Sequence, residues 1–212
     1  MNFAGFNQKD FDTFTIEGLE ERMKAIQERI QPKFRIIGEA LTSELSVKTG
    51  NEMFLHIAKH ARRTVNPPKD TWLAIAANKR GYKQHPHFQI GLFDDHVFIW
   101  LAYIYELPQK AEYAKTFLNN LEKVKAAIPA HYMISADHMK KEAKKVAETD
   151  LQQTLERFRD VKKAELLVGQ HIQSSNPILG DGDQFIALAE QTFETLLPLY
   201  QLSLNSLQLH SN

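Results

Sequence analysis

The chain has 212 residues, 43% of them hydrophobic, with 26 basic and 26 acidic side chains and no cysteine. Zero net charge argues against nucleic-acid or membrane binding by bulk charge, and the missing cysteine excludes a disulfide framework, a thiolate metal site and a cysteine nucleophile. The start, Met1 to Phe6, has no basic opening, and the longest apolar run, Val97 to Tyr105, is nine residues, far short of the roughly 20 a spanning helix needs. A cytoplasmic protein with no signal peptide and no membrane contact is therefore expected.

In chain order, residues 1–14 read as a polar arm whose Phe3, Phe6, Phe11 and Phe14 dock onto a core. A helix is predicted after Thr15, with Ile16, Leu19, Met23, Ile26 and Ile30 on one stripe. A second opens at Pro32, since proline is tolerated in a first turn, and stops at Gly50. Its stripe is Phe34, Ile37, Leu41 and Leu45. Period-two alternation then predicts four strands, at about 53–61, 71–79, 87–93 and 96–105. Asn66-Pro67-Pro68, Arg80-Gly81-Tyr82 and Asp94-Asp95 separate them. A helix is expected from Pro108, short strands at 131–135 and 165–171, a Thr149–Gln152 capping box before a helix carrying Leu155 and Phe158, and a final helix from Asp183 to Tyr200. Contiguous strands flanked by helices predict a single α+β domain over 1–212. Its antiparallel sheet of four or more strands is covered by helices as a two-layer sandwich, with 53–105 as the sheet core and 108–200 mainly helical.

Alternation also sorts side chains by face. With Asp94 and Asp95 as the turn, Leu92 falls opposite Val97, Ile90 opposite Ile99 and Phe88 opposite Leu101, all apolar. The other face pairs Gly91 with Phe98, Gln89 with Trp100 and His87 with Ala102, and a one-residue slip would mix the two sets. Leu55, Ile57, Leu73, Ile75 and Ala77 join the apolar face. Phe54, His56, Ala58, His60, Trp72, Ala74, Ala76, Asn78 and Arg80 join the mixed one. Small residues leave room there, and polar groups and aromatics border it, as in a ligand cleft. The competing reading is a sheet face closely packed by a helix.

Residues 56–87 concentrate seven basic side chains and four histidines against one acid, Asp70. That excess suits an anionic partner. Arg62-Arg63 and Arg80-Gly81-Tyr82-Lys83 fall on successive connections, hence at opposite ends of a meander, up to about 30 Å apart. One pocket built from both pairs is not expected. His56/His60 and His85/His87 could each share a face, but no acid matches them on the strands, so no metal site is assigned. Asp137-His138 reads as an N-cap ahead of Met139 rather than an acid–base pair. Gly180-Asp181-Gly182-Asp183 lacks the remaining ligands of a calcium loop and reads as a helix start capped by Asp183. No phosphate loop, dinucleotide fingerprint, nucleophile elbow or His-Glu-x-x-His occurs.

The run from His56 through Arg62, Arg63, Pro67, Pro68 and Trp72, followed by Arg80-Gly-Tyr-Lys83 and His87-Phe-Gln-Ile-Gly-Leu92, resembles the YktB-like family of uncharacterised bacterial proteins, over nearly the whole chain. The resemblance implies a compact α+β domain with an antiparallel sheet, similar in outline to biotin-ligase-like domains. It implies no activity, cofactor or catalytic residue.

The first functional expectation is a cytoplasmic binder of an anionic ligand: a nucleotide, a phosphorylated metabolite or a nucleic acid. Trp72 and Trp100 would form walls, His56, His60, Asn78, His87 and Gln89 would orient the ligand, and Arg62, Arg63, Arg80 and Lys83 would attract and hold it, with Tyr82 beside Trp72 stacking on a base if the ligand is a nucleic acid. An interaction or self-association domain is the second reading, and a phosphoester hydrolase or transferase using a mixed-face histidine is the third. Cofactor and oligomeric state stay open.

Overall fold

The computed structural model describes residues 3–208, and Met1, Asn2 and residues 209–212 of the expected domain lie outside the described residues. The arm holds a short helix α1 (Gln8–Asp12) closed by an Asn7–Asp10 capping box. Its four phenylalanines are buried, and Phe6 packs edge-on to Phe185 with ring centroids 5.3 Å apart. Burying each ring contributes roughly 1.5–3 kcal/mol, enough to hold a short arm in place.

The helix pair expected around Pro32 is one continuous helical run. α2 (Leu19–Ala25) passes through a π turn at Ile26–Ile30 into α3 (Gln31–Thr49), with Pro32 in the first turn of α3. Proline has no N–H to donate, and the widened turn before it absorbs the defect. Gly50 ends α3 at φ 67°, a left-handed conformation glycine adopts freely.

Among the described residues the antiparallel sheet has seven strands in the order β1-β2-β3-β4-β7-β5-β6. They are β1 (Phe54–Ile57), β2 (Thr71–Ala76), β3 (His87–Leu92), β4 (His96–Tyr103), β5 (Met133–Ser135), β6 (Lys144–Lys145) and β7 (Leu166–Gln173). The β3–β4 register pairs Leu92 with Val97, Ile90 with Ile99 and Gln89 with Trp100, as alternation predicts. β1 is shorter than expected because His60 turns to φ 49°. β2 ends at Ala76, so Asn78 and Arg80 leave the sheet for the following loop and Ala77 is exposed rather than core.

α3, α4 (Lys110–Asn119), α6 (Leu151–Asp160) and α7 (Gly182–Gln208) share one apolar cluster with Leu73, Ile75, Phe88 and Ile99 of the sheet. α5 (Leu121–Ala127) adds Val124 to it. The helix starts differ from expectation by a residue or two. α6 is capped by Asp150, which accepts from Gln153 N at 3.0 Å, and α7 by Asp181, which accepts from Gln184 N at 3.0 Å. Thr149 and Asp183 do not serve as these caps, because the neighbouring aspartates reach the free N–H groups.

The mixed face carries a separate apolar cluster, Phe93, Phe98, Trp100, Ala102, Ile104 and Leu167, without any helix residue. Loops cover it instead. The 136–143 loop crosses it, tied at one end by His138 to Glu165 and at the other by Lys141 to Asp94 and Asp95. The room expected above Gly91 is filled, since a Cβ built there would overlap the Phe98 ring.

Candidate functional site

A cleft of about 940 Å³ opens between β1 and the 77–86 loop that joins β2 to β3. His56 and Lys59 face it from β1 and just beyond. Asn78, Arg80, Tyr82, Lys83 and His85 face it from the loop, and Glu106 from the segment after β4. The loop is shaped by local polar contacts. Asn78 Oδ1 accepts from Arg80 N at 2.8 Å, closing a turn that presents Arg80 outward. Asn78 Nδ2 and His85 Nε2 are 3.0 Å apart, and the His56 ring donates through Nε2 to Asn78 O at 2.8 Å.

Tyr82 forms the inner wall of the cleft. Its hydroxyl accepts from Trp72 Nε1 at 2.9 Å, and its ring lies 5.6 Å from that of His56 and 4.9 Å from that of His87. Burial raises its pKa, so it stays a neutral phenol. Behind it His87 is fully buried and donates from Nδ1 to His85 O at 2.7 Å. Gln89 Nε2 then donates to His87 Nε2 at 3.0 Å, which fixes the neutral tautomer. Burial holds that imidazole down to about 3.

Charge in the cleft is one-sided. Lys83 pairs with Glu106 at 2.9 Å. Among the described residues Lys59 and Arg80 have no ion-pair partner, and both are exposed. Two cations without an ion-pair partner among the described residues therefore line a cavity with polar and aromatic walls.

The twelve residues singled out by sequence thus divide. His56, Asn78, Arg80, Tyr82 and Lys83 line the cleft. Trp72, His87 and Gln89 support its inner wall from beneath. Trp100 lies elsewhere, 4% exposed beside Phe98 and His171, and does not line this cleft. His60 lies edge-on to Trp72 at 5.4 Å and touches Thr71 Oγ1 at 3.1 Å. Burial, with a smaller effect of Arg63, lowers its pKa to about 4. Arg62 and Arg63 sit on the β1–β2 connection at the opposite end of the sheet, as the meander predicts. Sequence reasoning left out Lys59, His85 and Glu106 as lining residues. Lys59 belongs to the locally basic stretch but falls inside the strand predicted over 53–61, whereas Glu106 arrives from another element and carries no local signal.

A model of the family described as a domain of unknown function, DUF1054, matches residues 6–200. The chain belongs to the DUF1054 family. It is 61% identical over 206 residues to a UPF0637 protein of Shouchella clausii, covering 97% of this chain and 98% of that one. It is 62% identical over 203 residues to a UPF0637 protein of Oceanobacillus iheyensis, covering 95% and 98%. A UPF0637 protein of Listeria monocytogenes is 54% identical over 204 residues, covering 96% of this chain and all of that one. The family resemblance read from the His56–Leu92 run therefore extends over nearly the full DUF1054 chain. Among the described residues no helix is long and apolar enough to cross a membrane.

Proposed function

We propose that this DUF1054 protein binds a phosphorylated small molecule of about nucleotide size, in the bacterial cytoplasm, in the cleft between β1 and the 77–86 loop. The observation that carries the reading is the pair of cations without an ion-pair partner among the described residues, Lys59 and Arg80, lining a cavity of about 940 Å³. That volume lies in the range of small-ligand sites, about 300–1,000 Å³. Arg80 supplies a planar donor fork suited to phosphate oxygens. Tyr82, held by Trp72, offers a fixed flat wall to a planar ring, and His56, Asn78 and His85 offer polar contacts. A nucleic acid fits less well, since its affinity comes from an extended run of phosphate contacts and the Arg62-Arg63 pair lies at the far end of the sheet.

Calorimetric titration of phosphate, pyrophosphate, AMP and ATP into the full chain tests this. ATP is expected to bind saturably, and Arg80→Ala to weaken it about tenfold or more, the cost of one charge-assisted hydrogen bond. Arg62→Ala is expected to leave the affinity unchanged. Equal affinity for wild type and Arg80→Ala, or no binding of any of the four, would contradict the reading.

A further inference from the structure

Away from the cleft, three donor groups meet where the 136–143 loop joins the sheet. Glu165 precedes β7 and is 2% exposed. Its Oε1 accepts from Tyr105 N at 3.2 Å and its Oε2 from His138 N at 2.7 Å. A carboxylate has about four lone-pair positions, so one on each oxygen remains. Both remaining positions converge on His138 Nδ1, which lies 2.8 Å from each oxygen. Asp137 adds a third group. One of its oxygens accepts from Met139 N at 2.9 Å, and the other stands 3.5 Å from Lys140 Nζ.

One ligand atom from each of Asp137, His138 and Glu165 lies within 4.8 Å of the other two. Ligands bound to one ion at about 2.0–2.2 Å are about 3.4 Å apart in a tetrahedral site, so an inward swing of the partly exposed Asp137 side chain by up to about 1.4 Å completes the geometry. The backbone N–H groups on Glu165 are the outer hydrogen bonds that orient a ligating carboxylate. A second observation favours a cation here. Asp70 is 2% exposed, and among the described residues one of its carboxylate oxygens is buried without a hydrogen-bond partner; it stands two residues before Trp72, whose ring lies 6.3 Å from that of His138.

We propose that Asp137, His138 and Glu165 form a site for a divalent transition-metal ion. Mixed imidazole and carboxylate donors suit zinc, manganese or cobalt, and three protein ligands leave a position open for water. The sequence offered no acid to accompany its strand histidines. The structure supplies two, one beside the histidine in the chain and one from a segment 27 residues later.

The test uses the full chain, stripped with a chelator and titrated with Co²⁺ and with Zn²⁺. Trp72, whose ring lies 6.3 Å from that of His138, reports the paramagnetic ion by quenching. One equivalent is expected to bind, with quenching by Co²⁺ that Zn²⁺ displaces. His138→Ala and Glu165→Gln should weaken binding at least tenfold, while Arg80→Ala should not. Should Glu165→Gln fail to fold by circular dichroism, Asp137→Ala at a partly exposed position gives the same reading. Absence of saturable binding, or unchanged affinity in the His138 and Asp137 variants, would show an ion pair that only ties the loop and would overturn the proposal.

Discussion

At the scale of single residues, the candidate site depends on a few fixed contacts. The Tyr82 hydroxyl is the acceptor for Trp72 Nε1. Tyr82→Phe would leave a half-buried indole N–H unpaired and should cost about 1 kcal/mol in chemical denaturation. It should also shift tryptophan emission, because the Trp72 indole N–H loses its acceptor. An unaltered emission maximum would contradict that contact. Gly169 sits opposite Trp100, and a Cβ there would overlap the Ile99 carbonyl. Gly169→Ala should destabilise the fold by about 1–3 kcal/mol, read as a lower denaturation midpoint. Tyr82 and Arg80 were legible in sequence because they lie within a locally basic stretch. Glu165 was not, because a lone acid in a chain with 26 acidic side chains gives no sign of which imidazole it will meet.

At the scale of elements, the β3–β4 hairpin was readable to the residue, since only one register keeps Phe88, Ile90 and Leu92 on the face of Val97, Ile99 and Leu101. Strand ends were less so. His60 departs from extended backbone and Ala76 closes β2, and neither end is marked by a break in the alternation. The cap of α7 is testable directly: Asp181→Ala should cost about 1 kcal/mol and Asp183→Ala much less, compared by thermal melting. The sheet also sets a pH dependence. Burial lowers His60 to about 4, and His87 and His171 to about 3, from an ordinary 6.5. The unfolded chain then binds more protons at acid pH. Their contribution to stability is complete above pH 6.5 and is lost as the pH falls toward 4 and then 3. Each such group adds up to about 1.4 kcal/mol per pH unit to the slope. His171→Phe should therefore lose less stability than wild type between pH 7 and pH 5. Parallel melting curves for the two would count against burial as the cause.

At the scale of the molecule, a neutral chain separates its charges. The helical layer covers the apolar face of the sheet, and loops close the mixed face. The class and the two-face division were legible because alternation and helical periodicity are local. The strand order was not, because β7 joins β4 from about 60 residues away and then receives β5. The cover on the mixed face escaped for the same reason: the 136–143 loop has no period of its own, and its anchors at Glu165, Asp94 and Asp95 are distant in sequence. The cleft opens beside β1, with Lys59 and Arg80 among its lining residues.

The central claim is that this cleft holds a phosphorylated ligand against the Tyr82–Trp72 wall. The most direct measurement is tryptophan emission during titration with ATP, at low and high salt, for wild type and Arg80→Ala. A saturable change is predicted that salt weakens, that Arg80→Ala shifts to higher concentration and that Trp72→Phe abolishes. Emission that ATP leaves unaltered, or a change that Arg80→Ala does not move, would contradict it.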